Sequence, residues 1–477
     1  MTHRGFRLIA VSMLTSIVAA FAAPPLHAAD AAVPPPTDAS VKRQHWVEKE
    51  VLKAYDEVGR RNAKWDEAAR QALRLTVDEW SGVRPRLDGA FAQFQAAKRA
   101  VEAGCDDPMI LYVYAETYKT FGDDAQKCRD LHNQAADAFP GTDYSGYYKS
   151  MAQFRAAQLQ FEMANEHGRA AGKYNMDELN AGMRRIAVGI GNMVELSHET
   201  DVPMGKWINL GYAMQDAMVF TSGGDQAVRW ALPEIEKRAP KLAALVIKGE
   251  LYTHWAWDAR GSDFANKVTD EGWKLMASRL QTAQMALEEA WKLDPTCIDI
   301  PIRMITLELG QGQGRDRMEL WFKRAMAIDP DSENACEAKL YYLEPKWYGT
   351  PRDVIQFGHE CLQTGRFNSN VPRMLERAHK ALSHYTHGGY STKSDPAYYR
   401  LPGVWADLQA VYEGYLAADK DLHPTHLRNE YARYACLCGA WDDATKIFAT
   451  IGDDVDPGVW TKEQFEAARK AAADGAK

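Results

Sequence analysis

Two stretches of this chain end alike, 35 residues apart, and that spacing constrains the fold more than any other feature. Ala290-Trp-Lys-Leu-Asp-Pro295 is answered by Ala325-Met-Ala-Ile-Asp-Pro330. Ala283, Leu287 and Ala290 set a small, a large and a small residue at helical spacing. Phe322 and Ala325 repeat the last two, with Met318 in the first small position. Small positions let one helix pack closely on the next, and a proline ends one helix and opens its successor. A repeat of about 34 residues is a helix pair that cannot bury its apolar face alone, so such pairs stack.

Weaker copies of the pattern lie elsewhere. Ala96, Ala100, Ala103 and Pro108 keep the same spacings, and Ala63-Lys-Trp-Asp-Glu-Ala68 and Gly439-Ala-Trp-Asp-Asp-Ala444 read as helix starts with acids in the first turn. No alternating apolar run competes as a strand. Gly182, Gly189 and Gly191 fall inside a helix expected over 176–196, where glycine costs stability unless it marks close packing. Pro233 is expected to kink or divide its helix. The whole resembles the tetratricopeptide (TPR) repeat. That resemblance implies an all-α fold, a right-handed α-solenoid of degenerate TPR-like helical hairpins.

Residues 1–28 read as a signal peptide. Arg4 and Arg7 precede the apolar run Leu8 to Ala23, and Leu26-His27-Ala28 offers a small-residue cleavage site. An uncleaved anchor is the alternative, although the run is short for a bilayer span. Residues 29–40 form an Ala- and Pro-rich leader, with helical patterning expected from Val41. Three regions then follow: an N-terminal TPR-like region over 41–200, a central one over 201–387 and C-terminal hairpins over 388–477. The Gly388-Gly389 pair marks the last boundary. The mature chain is expected to be exported, periplasmic or secreted, with no stable membrane span after cleavage. Its formal charge of −8 carries no long basic run, which argues against a nucleic-acid partner.

The seven cysteines are an odd number and include no Cys-x-x-Cys, so zinc-ribbon and thioredoxin readings are weak. If 331–344 and 351–365 pair antiparallel about Trp347-Tyr348, Cys336 and Cys361 stand at nearly the same height and are the one nominated disulfide; two buried thiols are the alternative. Cys105 and Cys128 are mismatched in height across the turn at 122–124 and should not bond.

Two motifs exceed generic repeat spacing. One is Ala256-Trp-Asp-Ala-Arg-Gly261, followed by Val268-Thr-Asp-Glu-Gly-Trp273. The other is Glu344-Pro-Lys-Trp-Tyr-Gly349. Their order resembles an uncharacterised bacterial family of exported TPR-like proteins, a domain of unknown function. The resemblance implies fold and location, and supplies no catalytic residue. Gly261 is expected as a helix C-cap. The motifs read either as packing and turn devices or as a polar-aromatic ligand pocket of Trp257, Asp258, Arg260, Lys346, Trp347 and Tyr348.

Of His379, His384 and His387, a metal cluster is the weaker reading and solvated linker histidines the stronger. His198-Glu199 and His359-Glu360 lack the second histidine of a zincin, and Gly310-Gln-Gly-Gln-Gly314 follows no strand. No metal, cofactor or catalytic residue is assigned. Fourteen tryptophans and twenty-one tyrosines are many for this length; in a solenoid most are expected as core or inter-helix anchors, and a minority on a concave surface as groups that stack on sugar rings or grip a peptide. The expected function is a scaffold binding a protein or peptide partner on a concave face. A glycan-binding module is the alternative, and an α/α-toroid enzyme acting on polysaccharide comes third.

Overall fold

The computed structural model describes residues 38–81, 89–173, 175–199, 202–222, 227–261, 265–386, 395–418 and 425–475, and these contain no strand. The signal peptide, most of the leader, Gly223-Gly224 and the linker with His387, Gly388 and Gly389 lie outside them. The first helix among the described residues begins at Asp38, three residues ahead of Val41. The chain divides into two compact units, one of residues 39–81 and 90–328 and a smaller one holding 329–477.

In the larger unit, α1 (Asp38–Val47) continues through a π-helical turn, Glu48–Lys53, into Ala54–Val58. Next come α2 (Asp66–Ser81) and α3 (Gly89–Glu102). Paired helices follow: α4 (Pro108–Phe121) with α5 (Ala125–Ala138), and α6 (Gly146–Ala171) with α7 (Met176–Leu196). After α8 (Met204–Ser222), a π-helical stretch, Ala227–Ala231, meets the short α9 (Leu232–Arg238) at Pro233, the division expected there. The last pairs are α10 (Lys241–Arg260) with α11 (Asp270–Leu293), and α12 (Asp299–Gln311) with α13 (Arg315–Ile328). Beyond the contacts within pairs, α6 touches α8, α8 touches α10 and α10 touches α12.

Local chemistry sets the helix ends. Asp107 caps α4 by accepting from the N–H groups of Met109 and Ile110, at 3.0 and 3.3 Å, with Pro108 in the first turn. The same carboxylate accepts from the Arg60 backbone at 2.8 Å and the Tyr144 hydroxyl at 3.0 Å, tying three segments to one buried acid. Trp46 of α1 is buried, edge-on to Tyr147 at 5.6 Å and stacked on Tyr148 at 6.2 Å, both on α6. The Lys206 ammonium of α8 stands 4.9 Å from the Trp46 and Tyr147 rings.

The repeat positions behave as packing sites. Ala283, Leu287, Ala290, Met318 and Ala325 are all fully buried. Phe322 is only half-buried; the neighbouring Trp321 turns inward instead, edge-on to Trp291 at 5.5 Å. The second repeat end thus keeps its small residue and moves its large one by one position.

The smaller unit runs α14 (Glu333–Tyr342), α15 (Pro351–Gln363), α16 (Met374–Thr386), α17 (Val404–Ala418), α18 (Thr425–Cys438), α19 (Trp441–Ile451) and α20 (Lys462–Gly475), each packed on the next. Asp331, ahead of α14, takes a two-pronged ion pair from Arg366 at 2.5 and 2.7 Å. The histidine reading needs correction. His379 is no solvated linker residue: α16 extends past it, and it is fully buried between the Tyr398 hydroxyl at 2.9 Å and the Asp407 carboxylate at 3.1 Å. His384 is half-buried on the same helix.

Candidate functional site

The two motifs belong to different units. In the larger one, Ala256–Gly261 ends α10: Gly261 has φ +74° and its N–H donates to the Trp257 carbonyl at 2.9 Å, the expected C-cap. Arg260 lies 5.9 Å from the Trp257 ring and 6.0 Å from that of Trp273, and Asp258 is exposed. The companion stretch opens α11. The Thr269 hydroxyl accepts from the Gly272 N–H at 3.0 Å, and a Cβ on Gly272 would stand 2.7 Å from the Ala259 carbonyl. Only glycine lets α11 start so close to the end of α10.

In the smaller unit, Glu344–Gly349 turns α14 into α15. Lys346 pairs with Glu344 at 2.7 Å and lies 4.3 Å over the Tyr341 ring. Trp347 packs against Tyr341 at 5.8 Å, while Tyr348 stacks on Tyr342 at 4.9 Å and keeps 47% of its surface exposed. A Cβ on Gly349 would meet the Leu343 carbonyl oxygen at 2.0 Å. Thr350 and Asp353 then form a reciprocal capping box on α15. Beside this turn, between α14 and α16, a cleft of about 380 Å³ is lined by Glu337, Tyr341, Glu344, Arg377, Lys380 and His384.

One polar feature escaped sequence reasoning. Ionisable side chains on alternate helices of the larger unit, α4, α6, α8, α10 and α12, form a ladder. Arg155 of α6 stands between Glu116 of α4, at 3.7 Å, and Asp216 of α8, at 3.8 Å. On α10, His254 bonds Glu250 at 3.1 Å, and Arg303 of α12 reaches the same Glu250 oxygen at 3.2 Å. Arg303 also donates to the Tyr212 hydroxyl at 2.8 Å and lies over that ring at 4.3 Å. Asp216 and His254 act on each other electrostatically.

The halves differ in kind. Around Glu250 the groups satisfy one another. Burial opposes charge on the carboxylate, yet Arg303 and His254 together hold its pKa below the ordinary range. Burial likewise opposes charge on His254, and Glu250 overcomes it, raising that pKa. Around Arg155 the separations exceed hydrogen-bond length. Glu116 Oε1 and Arg155 Nε are buried with no hydrogen-bond partner, while Arg155 Nη1 donates to Gln158 at 3.1 Å. Burial raises the pKa of Glu116 and of Asp216, with Arg155 only partly offsetting it. This half therefore keeps unused donors and acceptors beside a surface where Asp216 is 51% exposed.

A signal for the ladder was present in the sequence. Glu116 follows Ile110-Leu-Tyr-Val-Tyr-Ala115, Glu250 ends a mostly apolar run from Leu242, and Arg303 sits within Ile300-Pro-Ile-Arg-Met-Ile305. A lone ionisable residue in an apolar helix needs a partner from elsewhere. No described helix is long and apolar enough to cross a membrane. No protein-family model matches the chain, and no curated protein matches it.

Proposed function

We propose that this chain is an exported scaffold, a right-handed TPR-like α-solenoid that binds an extended segment of a protein partner along the helices bearing the charge ladder. Supporting the solenoid reading, α6, α8, α10 and α12 each touch the next of the series, as the first helices of stacked hairpins do. One observation carries the binding reading: the unused hydrogen-bonding capacity of Glu116 and Arg155 beside the exposed Asp216. An extended peptide presents N–H donors and C=O acceptors in alternation, which carboxylates and a guanidinium can meet. The order of the two motifs, resembling exported proteins of unknown function, supports the location.

A second reading has its own support. Trp273 is 40% exposed, Tyr341 43% and Tyr348 47%, and such aromatic faces suit sugar rings. Two measurements separate them. Partner capture from a periplasmic extract is compared for the parent and for Arg155→Ala and Asp216→Ala, alongside binding to an oligosaccharide array. Loss of a captured protein in both variants, with no array signal, supports the scaffold. An array signal abolished by Tyr341→Ala or Trp273→Ala and untouched by Arg155→Ala would replace it with the glycan module. Sequencing the N-terminus of the mature chain tests export.

A further inference from the structure

The cleft between α14 and α16 of the smaller unit, about 380 Å³, falls within the range of about 300–1,000 Å³ that small-molecule sites occupy. Its two walls carry opposite charge. Glu337 on α14 and Glu344, seven residues on and just past that helix's end, make one wall acidic. Arg377 and Lys380 of α16 make the other basic, with His384 on the same helix face, because residues three, four and seven apart line up. Leu340, Tyr341 and Ala381 add an apolar lining.

Neither wall is saturated. Arg377 crosses to α14 and pairs with Glu333 and Glu337, and Lys346 holds Glu344 at 2.7 Å. Lys380 is exposed and forms no ion pair with any described residue. Its ammonium has three donors to give, and the Glu344 carboxylate keeps lone pairs beyond the one that Lys346 uses. We propose that this cleft binds a free α-amino acid with an apolar side chain: its carboxylate at Lys380, its ammonium at Glu344, and its side chain on Leu340, Tyr341 and Ala381. A zwitterion matches two walls of opposite sign, and a ligand lacking either charge leaves one wall unmatched. The terminal residue of a peptide keeps only one of the two. Burial and the neighbouring Lys380 push the His384 pKa down, so at neutral pH its imidazole offers the ligand a donor or an acceptor rather than a second cation. The acidic wall is in place before a ligand arrives: α14 packs on α15, where Cys336 and Cys361 are both buried, and is tied to α16 through Arg377. The site belongs to the smaller unit and does not depend on what the ladder of the larger one binds.

The test is equilibrium dialysis of the full chain against labelled L-phenylalanine, L-leucine, N-acetyl-L-phenylalanine and L-phenylalaninamide. The expected result is saturable binding of one amino acid per chain. Acetylation removes the ammonium charge and amidation the carboxylate, and each should weaken binding about tenfold or more. Lys380→Ala should weaken L-phenylalanine by about the same factor and leave L-phenylalaninamide unchanged, with a melting curve like the parent's. Tyr341→Ala should weaken all four. No saturable binding of either amino acid, equal binding of the acetylated or amidated form, or undiminished binding of L-phenylalanine by Lys380→Ala overturns the proposal.

Discussion

Gly189 and Gly191 stand two residues apart in α7, and replacing each by alanine should move stability in opposite directions. An alanine Cβ favours the helix over glycine by about 0.5–1 kcal/mol, because it lowers the backbone entropy lost on folding. At Gly191 that is the whole effect: the position is exposed and an added Cβ meets nothing within 4 Å. At Gly189 the added carbon would stand 2.4 Å from Cε1 and 2.8 Å from Cδ1 of Phe154, a fully buried ring on α6. The helices cannot simply separate, because the Ser150 hydroxyl donates to the Gly189 carbonyl at 2.9 Å across the same seam. Overpacking of this kind costs about 1–3 kcal/mol. Gly191→Ala should therefore stabilise by about 0.5–1 kcal/mol. Gly189→Ala should destabilise by about 0.5–2 kcal/mol net. Urea unfolding followed by tryptophan fluorescence reads both as midpoint shifts. Equal shifts of the same sign would refute the close-contact account of α6 and α7.

Burial, helped by Lys119 and Arg155, holds His132 neutral down to a pKa of about 3. Its folded pKa lies below the unfolded value near 6.5, so the stability it contributes is complete above that value. That contribution is lost as pH falls toward 3, at up to about 1.4 kcal/mol per pH unit; urea midpoints from pH 7 to 5 should fall less steeply in His132→Leu than in the parent. Ala290→Arg and Ala325→Arg each force a charge into a fully buried helix contact, with an expected loss of several kcal/mol visible as a lowered melting temperature. Asp331→Ala leaves the largely buried Arg366 guanidinium without its carboxylate and should cost about 3 kcal/mol by chemical denaturation, against little change if the pair is idle.

What could be read in advance was short-range. Ala283, Leu287, Ala290 and Ala325 were legible because helical spacing alone fixes which side chains share a face. Gly261 was legible because a C-cap is decided within one turn. Gly182 and Gly189 do mark close packing, with added Cβ atoms 2.5 and 2.4 Å from Phe161 and Phe154, whereas Gly191 faces open space. Periodicity places 182 and 189 on one face but does not say which ring lies opposite. Phe322 misled because the register allowed either of two adjacent aromatics inward, and contact with Trp291 chose Trp321. His379 misled because the nearby glycines suggested a linker, while its neighbour Asp407 is 28 residues away across α16 and α17. The ladder was hidden for the same reason. Glu116 and Arg155, Arg155 and Asp216, and Glu250 and Arg303 meet only once separate helix pairs have stacked.

The packing of Trp46 sets an order of events. Most helices of the larger unit pack on the one that follows, so each pair can close as soon as its second member exists. Trp46 instead rests on Tyr147, Tyr148 and Lys206, which come roughly 100 to 160 residues later. Closing a loop of that length rather than one of a dozen residues costs about 2 kcal/mol more, since each doubling adds about 0.6 kcal/mol. Trp46, at the C-terminal end of α1, must wait undocked until α6 and α8 have formed. Trp46 therefore locks after the α4–α5 pair that follows it in the chain, and on unfolding it should release before that pair does.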